Sequence, residues 1–382
     1  MRKPITIGDL GTIITGKTPP TTNKNYYGDY AVFIKPTDIS EQCKFTYETE
    51  EMYSKLAAEK YESSLIPKGA ICVPCIGTIG TKMTMAPCDC YTNQSINSIV
   101  CNDRYDNEYV YYLIKNFLPG LKSYNLGTAS GREYVSKSNF EKIELVAEQD
   151  KTIQKKIGEF LSRYDSLIEN YQKQIKLLEE AAQRLYKEWF VDLHFPGHEN
   201  TKIVDGVPEG WTPSQLGQLV EFKRGKTITK KDVINGDIPV VAGGLEPAYY
   251  CNKSNTAERV ITISGSGVNA GFTRMYFEKV WASDCSFVDA SVTPFLHFVY
   301  CYLKDNKTTI DNMQKGAAQP HVYAKDINSL GLCIPIESIL KSFEGKISKY
   351  FDTISSLQSQ IRLLTEARDR LLPKLMSGEI EV

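Results

Sequence analysis

The chain has 382 residues, enough for two or three domains at roughly 100–200 residues each. Its 45 Lys and Arg nearly balance its 46 Asp and Glu, and the net charge of −1 excludes a polycationic tail or a strongly acidic chain as the source of function. No apolar run approaches the roughly 18 residues of a membrane span, and the first ten residues lack the apolar stretch of a signal peptide. We therefore expect a cytoplasmic protein without membrane contact, whose ten cysteines are reduced.

The first region, residues 1–148, mixes short β-type runs with one helical segment. Residues Ala70–Val73 and Ile96–Cys101 are rich in β-branched and apolar side chains, whereas Tyr109–Lys115 (YVYYLIK) has helical character. Gly, Pro and Asn separate these segments. The pattern predicts an α+β domain.

A long helix with a heptad stripe follows over residues 149–192. Apolar side chains recur in alternating steps of four and three residues, the spacing that keeps one narrow stripe facing a partner helix. The stripe comprises Ile157, Leu161, Tyr164, Ile168, Tyr171, Ile175, Leu178, Ala182, Leu185 and Trp189. The segment His194–Trp211, rich in Pro and Gly, ends this helix.

The second half of the chain repeats this organisation. Residues 193–336 hold β-type runs at Val260–Ser264 and Ser286–Asp289 and a helical segment at Phe298–Lys304, and residues 337–382 form a second heptad helix. QIKLLEEA at 174–181 recurs as QIRLLTEA at 360–367. The second stripe comprises Phe343, Ile347, Tyr350, Ile354, Leu357, Ile361, Leu364, Arg368, Leu371 and Leu375. The sequence thus predicts two similar α+β domains, each followed by one long helix.

Each heptad stripe needs a partner, because a narrow apolar seam alone in water is only marginally stable. The other copy is the best mate within the chain, and the second helix reaches the first only by turning back, so we expect an antiparallel pair. From Ile157 to Trp189 the helix measures about 48 Å at ~1.5 Å per residue. Two unlike heads at a fixed separation suit duplex DNA, whose turn repeats every ~34–36 Å.

At this point the chain resembles the specificity subunit of type I restriction-modification systems over its whole length. The resemblance depends on the order of several short motifs rather than on any one of them. They are Leu10-Gly11, GKTPP at 16–20, CIGTIG at 75–80, NQSINSI at 93–99, Glu148-Gln149, GSGVNAG at 265–271, WASD at 281–284 and LLPKLMSGEI at 371–380.

The resemblance implies two target-recognition domains, each reading one half of a split double-stranded DNA sequence, with helices that set the gap between the halves. It also implies that catalysis belongs to partners: two DNA methyltransferase subunits and restriction motor-nuclease subunits, which hold S-adenosylmethionine, ATP and Mg²⁺, while this chain needs no cofactor. The alternatives are a related system with a fused nuclease-methyltransferase partner, a solitary DNA-acting enzyme, and a coiled-coil adaptor that binds proteins alone.

Candidate DNA contacts lie in Gly-rich turns and polar loops. A Lys beside a Gly turn suits phosphate, Arg and Gln present donors that fit guanine and adenine, and small residues let the backbone approach the duplex. The amides of Asn93 and Gln94 fit base reading or turn closure equally well. The candidates are Lys17, Thr18, Asn93, Gln94, Ser130, Arg132 and Lys137 in the first domain, and Lys226, Thr227, Gln319, His321 and Lys325 in the second.

The loops after the two YVYYLIK-like helices align without gaps, which places Gly127 on Gly316 and Tyr134 on Tyr323. Further apolar side chains extend the apolar surface of the helices beyond the stripes and predict a docking site, which the resemblance assigns to methyltransferase subunits. They are Trp189, which also ends the first stripe, and Leu167, Leu177, Phe190, Leu363, Leu372 and Met376.

Three motifs typical of other functions are rejected. GTIITGKT at 11–18 matches a phosphate-loop pattern, but the prolines at 19 and 20 forbid the helix that such a loop must open. Cys72, Cys75, Cys88 and Cys90 have zinc-type spacing, yet the second domain lacks matching cysteines, so we expect no metal. Glu344-Gly345-Lys346 resembles part of a nuclease site but stands alone, and we expect a solvated helix face there.

Overall fold

The structure is a computed structural model that describes residues 1–127, 133–316 and 319–382. The chain forms two compact units. Unit 1 consists of Met1–Gln172 and Ser359–Val382, and unit 2 of Lys173–Gln358. Both long helices are therefore divided between the units. Among the described residues, none of the helices combines the length and the apolar character needed to cross a bilayer.

Unit 1 is an α+β domain with small, largely antiparallel sheets. Its elements are β1 (Arg2–Thr6), α1 (Ile7–Leu10), β2 (Gly11–Thr15), β3 (Tyr27–Gly28), β4 (Ala31–Ile34), β5 (Met52–Tyr53), α2 (Lys55–Lys60), β6 (Ile71–Pro74), β7 (Thr84–Met85), β8 (Tyr91–Thr92), β9 (Ile96–Cys101), α3 (Asn107–Phe117), α4 (Lys137–Glu141), β10 (Glu144–Glu148) and the start of α5 (Lys151–Tyr186). The strand orders are β1-β10, β2-β9-β6-β7 and β3-β5-β4-β8.

Unit 2 repeats this topology. Its elements are the end of α5, β11 (Ile203–Val204), β12 (Val207–Pro208), β13 (Thr212–Gln215), α6 (Leu216–Leu219), β14 (Lys223–Arg224), β15 (Ile238–Val241), β16 (Tyr249–Cys251), β17 (Val260–Ser264), β18 (Thr273–Tyr276), β19 (Trp281–Ala282), β20 (Cys285–Asp289), α7 (Leu296–Asp305), α8 (Lys307–Asn312), α9 (Ala324–Asn328), β21 (Gly331–Ile334) and the start of α10 (Glu337–Ser377). The order β14-β20-β17-β18 matches β2-β9-β6-β7, and β13-β21 matches β1-β10. Among the strands named here, each unit also has one parallel pair, β4 with β8 and β15 with β19. The predicted pair of similar α+β domains with two long helices is confirmed.

The heptad stripes form the inner faces of α5 and α10. Every stripe residue named above is buried or half-buried, and none is exposed. In unit 1, Asp165 pairs with Arg368 and Lys156 with the carbonyl of Val382. Since the lower number pairs with the higher in each case, these segments run antiparallel, as predicted. In unit 2, the α-helix of α5 continues as a π-helical turn to Val191, and Trp189 in that turn lies 5.6 Å from Phe343 near the start of α10, ring centroid to ring centroid.

A buried ion pair interrupts the apolar stripe in unit 1. Arg368 Nη1 lies 2.5 Å from Asp165 Oδ1, and both side chains are about 95% buried (5% and 4% exposed). The Tyr112 hydroxyl donates to the other oxygen of Asp165. Because a buried charge without a partner is strongly unfavourable, this pair ties α10 to α5 in one register.

The helices α3 and α7, which occupy matching places in units 1 and 2, are capped at their N-termini in different ways. In unit 1, Asp106 caps α3 by accepting a hydrogen bond from the Tyr109 amide, and Gly158 on α5 leaves room for this turn, since a Cβ there would lie 2.8 Å from that of Glu108. In unit 2, the N-terminus of α7 has no side-chain cap of its own. Glu344 on α10 occupies the position that matches Gly158 and performs that role from outside the helix.

Glu344 accepts hydrogen bonds from the amides of His297 and Phe298 at 3.1 and 3.2 Å, and from His297 Nδ1 at 2.6 Å. Its side chain is only 15% exposed. The expectation of a solvated face is therefore wrong at Glu344, because the uncapped first turn of α7 supplies donors for its carboxylate. These bonds occupy both carboxylate oxygens of Glu344. Its role is therefore structural.

Candidate nucleic-acid interface

In unit 1 the GKT turn follows β2 directly and packs tightly against the turn before β9. A Cβ at Gly16 would lie 2.1 Å from the carbonyl oxygen of Thr92, so only glycine fits. The Lys17 amide donates to the same carbonyl at 2.9 Å. Its side chain is exposed, with Nζ 3.1 Å from Ser63 Oγ. Thr18 donates through its hydroxyl to the exposed Gln94 amide oxygen.

Three further segments meet beside this turn. Asn93 closes its own turn, because its Oδ1 accepts from the Ser95 amide at 3.0 Å. The Ser95 carbonyl accepts from the amide of Cys75, the first residue of CIGTIG, at 2.7 Å. The Cys75 carbonyl in turn accepts from the Val135 amide at 2.8 Å, where the polar loop after α3 returns. Four segments that are distant in sequence therefore lie side by side: the GKT turn, the turn at Asn93, the CIGTIG segment and the end of the polar loop. We call this arrangement the junction.

Asn125 closes the base of this polar loop. Its Oδ1 accepts from the amides of Gly127 at 2.9 Å and Tyr134 at 2.8 Å, one on each arm. The predicted contacts Ser130 and Arg132 lie in the loop itself, outside the described residues. Lys137 is the first residue of α4, and its side chain is paired with Glu141 at 3.7 Å.

Unit 2 reproduces the same junction. A Cβ at Gly225 would lie 2.4 Å from the carbonyl oxygen of Ser283, and the Lys226 amide donates to Ala282 O at 2.9 Å. The Lys226 carbonyl accepts from Trp281 Nε1 at 2.7 Å, which fixes WASD against the turn. The side chains of Lys226 and Thr227 are exposed.

The polar loop of unit 2, which ends at Tyr323, also returns to the glycine-rich segment GSGVNAG at 265–271. Gly267 donates its amide to Pro320 O at 3.0 Å, and Ser266 and His321 form an isolated β-bridge. The His321 ring stacks on that of Tyr323 at 5.9 Å between centroids. Gln319 is exposed, and Lys325 on α9 is exposed with its ammonium 5.8 Å from the centre of the Tyr323 ring.

The gap-free alignment of Tyr134 with Tyr323 is wrong. In unit 1, Tyr134 forms the bridge to Ile76, and in unit 2 His321 forms the equivalent bridge to Ser266. Six residues separate Gly127 from Tyr134, but only four separate Gly316 from His321. The second loop is thus two residues shorter, and His321 occupies the place of Tyr134.

The remaining motifs have structural roles. Residues Gly11–Thr15 are β2, and residues 16–20 are not helical, so no phosphate loop forms. Burial raises the pKa of the Cys72 and Cys75 thiols to about 12, which opposes the thiolate form that zinc binds. Among the described residues, no group of three or more His, Cys, Asp or Glu side chains could hold a metal ion.

The apolar surface outside the stripes is smaller than expected. Trp189, Leu372 and Met376 are 4–6% exposed and belong to the cores of their units, because the globular parts pack over them. Phe190 is half-buried in the core of unit 2. Leu167, Leu177 and Leu363 are 45%, 60% and 59% exposed and remain as candidates for docking.

Comparison with known proteins places this architecture in a family. The sequence model of the type I restriction modification DNA specificity domain matches residues 3–180 and again residues 208–366. Two successive matches account for most of the chain and coincide with its internal repeat. The chain belongs to the family of type I restriction-modification DNA specificity subunits, which confirms the resemblance found in the sequence.

Individual members of this family are similar to the chain in sequence or in fold. The specificity subunit of the type I restriction enzyme MjaIX of Methanocaldococcus jannaschii is 28% identical over 402 aligned residues, covering 98% of this chain and 93% of that protein. The HindI specificity subunit of Haemophilus influenzae is 38% identical over 158 residues, 40% of this chain and 33% of that protein. The crystal structure of a type I S subunit from Mycoplasma genitalium shares the fold, with a TM-score of 0.59 at 18% identity and coverage of 98% and 96%.

Proposed function

We propose that the chain reads a split sequence in double-stranded DNA, with one half-site per unit. The main support is the contrast between the two junctions. Lys17 and Lys226 occupy the same exposed position in both units, as expected for contacts to phosphate, which carries no sequence information. At other matching positions the side chains differ, as with Tyr134 and His321. Reading two half-sites of different sequence would require such differences.

An exchange of one domain tests this proposal. Residues 1–148 are replaced by the corresponding domain of another family member, and the chain is expressed with its methyltransferase subunits. Methylome sequencing then reads the modified motif. We expect one half of the motif to change and the other to persist, and a motif altered in both halves would contradict modular reading. Unmodified DNA from cells without the chain is the control.

The long helices are proposed to set the gap between the half-sites. Insertion of four residues in α5, with a matched insertion in α10, lengthens each helix by about 6 Å at ~1.5 Å per residue. The expected result is a longer gap with both half-sites intact. If methylome sequencing of this variant returned the original gap, the helices would not be the spacer.

We also propose that the chain is not itself an enzyme and that it recruits two methyltransferase subunits and restriction motor-nuclease subunits. The exposed Leu167 and Leu363 in unit 1 and the exposed Leu177 in unit 2 support docking on the long helices. S-adenosylmethionine, ATP and Mg²⁺ would be held by these partners. Glu344, the one nuclease-like carboxylate noted in the sequence, is bound to the N-terminus of α7.

Purified components distinguish this assignment from a solitary enzyme. The chain alone, incubated with DNA and either Mg²⁺ or S-adenosylmethionine, is expected to leave DNA unchanged, whereas the assembled complex methylates it. Activity of the chain alone would refute the assignment. An adaptor without DNA reading predicts an assembled complex with no sequence preference. A fused partner predicts methylation and cleavage from a single copurifying polypeptide.

A further inference from the structure

Arg224 lies at the centre of the unit 2 junction, although no sequence motif marks it. It is the last residue of β14 and directly precedes the GKT turn. Its guanidinium extends across Gly265, where a Cβ would lie 2.3 Å from Nη1. The side chain is 45% exposed. It therefore reaches the open face of the junction between the turn of Lys226 and the glycine-rich segment.

Asp284 holds this guanidinium in place. Arg224 Nη2 donates to Asp284 Oδ1, and Ser266 donates through its hydroxyl to Oδ2 of the same carboxylate. Both carboxylate oxygens are thus used, one for Arg224 and one for the segment that bridges to His321. Among the described residues, Asp284 is the hydrogen-bond partner of the guanidinium and takes one Nη2 proton, so the other Nη2 proton and the Nε or Nη1 proton parallel to it leave one edge of the guanidinium for a ligand.

Unit 1 has a different pair at the same place. The register of β2 on β9 and of β14 on β20 makes Thr15 the counterpart of Arg224, because Thr15 faces Asn97 and Arg224 faces Ser286. Thr15 Oγ1 donates to Asn97 Oδ1 at 2.7 Å and carries no charge. The surrounding backbone bonds are nevertheless equivalent: Cys75 N to Ser95 O at 2.7 Å in unit 1, and Gly265 N to Asp284 O at 3.0 Å in unit 2. The scaffold does not require the ion pair.

We propose that Arg224, oriented by Asp284, reads a guanine in the half-site bound by unit 2. This inference rests on the proposed reading of split DNA. A guanidinium offers two parallel donors that fit O6 and N7 of guanine, and no other base edge in the major groove presents that pair of acceptors. Asp284 fixes the plane of the donors in advance. The neighbouring Lys226 and Thr227, two and three residues further on, are exposed and available for contacts to phosphate.

The test uses the full chain assembled with its methyltransferase subunits. Arg224→Ala, Arg224→Lys and Asp284→Asn are compared with two controls: Thr15→Ala at the matching position of unit 1 and Arg259→Ala, which removes an arginine paired with Asp352 elsewhere in unit 2. Methylome sequencing gives the motif of each variant. Fluorescence anisotropy on duplexes with single base-pair changes gives the discrimination at each position.

For Arg224→Ala we expect relaxed specificity at one G·C position of one half-site, with about 5- to 150-fold less discrimination there. Arg224→Lys should retain affinity yet show the same relaxation, because an ammonium lacks the paired donors. Asp284→Asn should relax the same position to a smaller extent. Arg259→Ala should leave both half-sites unchanged, and Thr15→Ala should leave the unit 2 half-site unchanged.

Three results would overturn the assignment of Arg224. They are an unchanged motif in Arg224→Ala, relaxation at an A·T position, and equal weakening on every duplex together with a lower melting temperature. The last would show that the ion pair only stabilises the loops. If the wild-type complex itself methylated an unsplit motif, the proposed function would fail, and this outcome is distinct from failure at Arg224 alone.

Discussion

Glu344 stabilises unit 2 by capping a helix from a second helix, and its removal has a predictable cost. Glu344→Ala leaves the amides of His297 and Phe298 without their acceptor, comparable to loss of an N-cap at about 0.5–2 kcal/mol. It also strands the buried His297 Nδ1 donor, at about 1–3 kcal/mol. Together these predict a loss of about 1.5–5 kcal/mol in the free energy of unfolding.

Tryptophan fluorescence during urea unfolding measures this loss. The chain has three tryptophans, Trp189, Trp211 and Trp281, and all lie in unit 2. Glu337→Ala, which removes an exposed ion pair with Lys341 on the same helix, is the matched control and should not shift the transition. Glu344→Gln keeps one acceptor oxygen, so its unfolding midpoint should lie between those of the wild-type chain and Glu344→Ala. If Glu344→Ala shifted the midpoint no more than the control, the cap from α10 would contribute nothing to stability.

Three further predictions concern other sites. Gly345→Ala should stabilise the chain by about 0.5–1 kcal/mol, since its Cβ would meet no described atom within 4 Å. Gly158→Ala should destabilise the chain, and thermal melts of both variants should therefore show melting temperatures that shift in opposite directions. Arg368→Met should lower the free energy of unfolding by about 3–5 kcal/mol, because it leaves Asp165 buried without its cation. Hydrogen exchange in residues 359–377 should then become faster, and unchanged exchange would show that the ion pair is dispensable. Lys17→Gln should weaken DNA binding equally on all sequences and reduce the slope of log affinity against log salt by about 1 in a salt titration; a sequence-dependent loss would argue against phosphate contact.

The long helices were the most predictable part of the fold. Their stripe depends on a period within a single segment, and every stripe residue is at least half-buried. Even Arg368, a charged residue in an apolar series, lies on the stripe, because it pairs with Asp165, whose other oxygen accepts from the Tyr112 hydroxyl. The local runs that became β9 and β17 were equally clear, since β-branched residues stand in short segments between turns.

The capping of α7 and the assembly of the junctions could not be read from the sequence. Glu344 lies 47 residues from His297, and no local spacing connects them. The polar loop of unit 2 is two residues shorter than that of unit 1, so an alignment by identity sets Tyr323 against Tyr134, where the structure has His321. The pairing of Arg224 with Asp284 also has no local signal in the sequence, because 60 residues separate the two.

The split composition of unit 1 has a consequence for how the protein is made. A chain leaving the ribosome completes unit 2 at Gln358, but unit 1, whose synthesis starts first, still lacks Ser359–Val382. At roughly 5–20 residues per second, the apolar stripe on residues 151–172 waits about 10–40 s for its mate. Nascent unit 1 therefore leaves apolar surface exposed after unit 2 is complete, and its fold is finished only when Ser359–Val382 have been made.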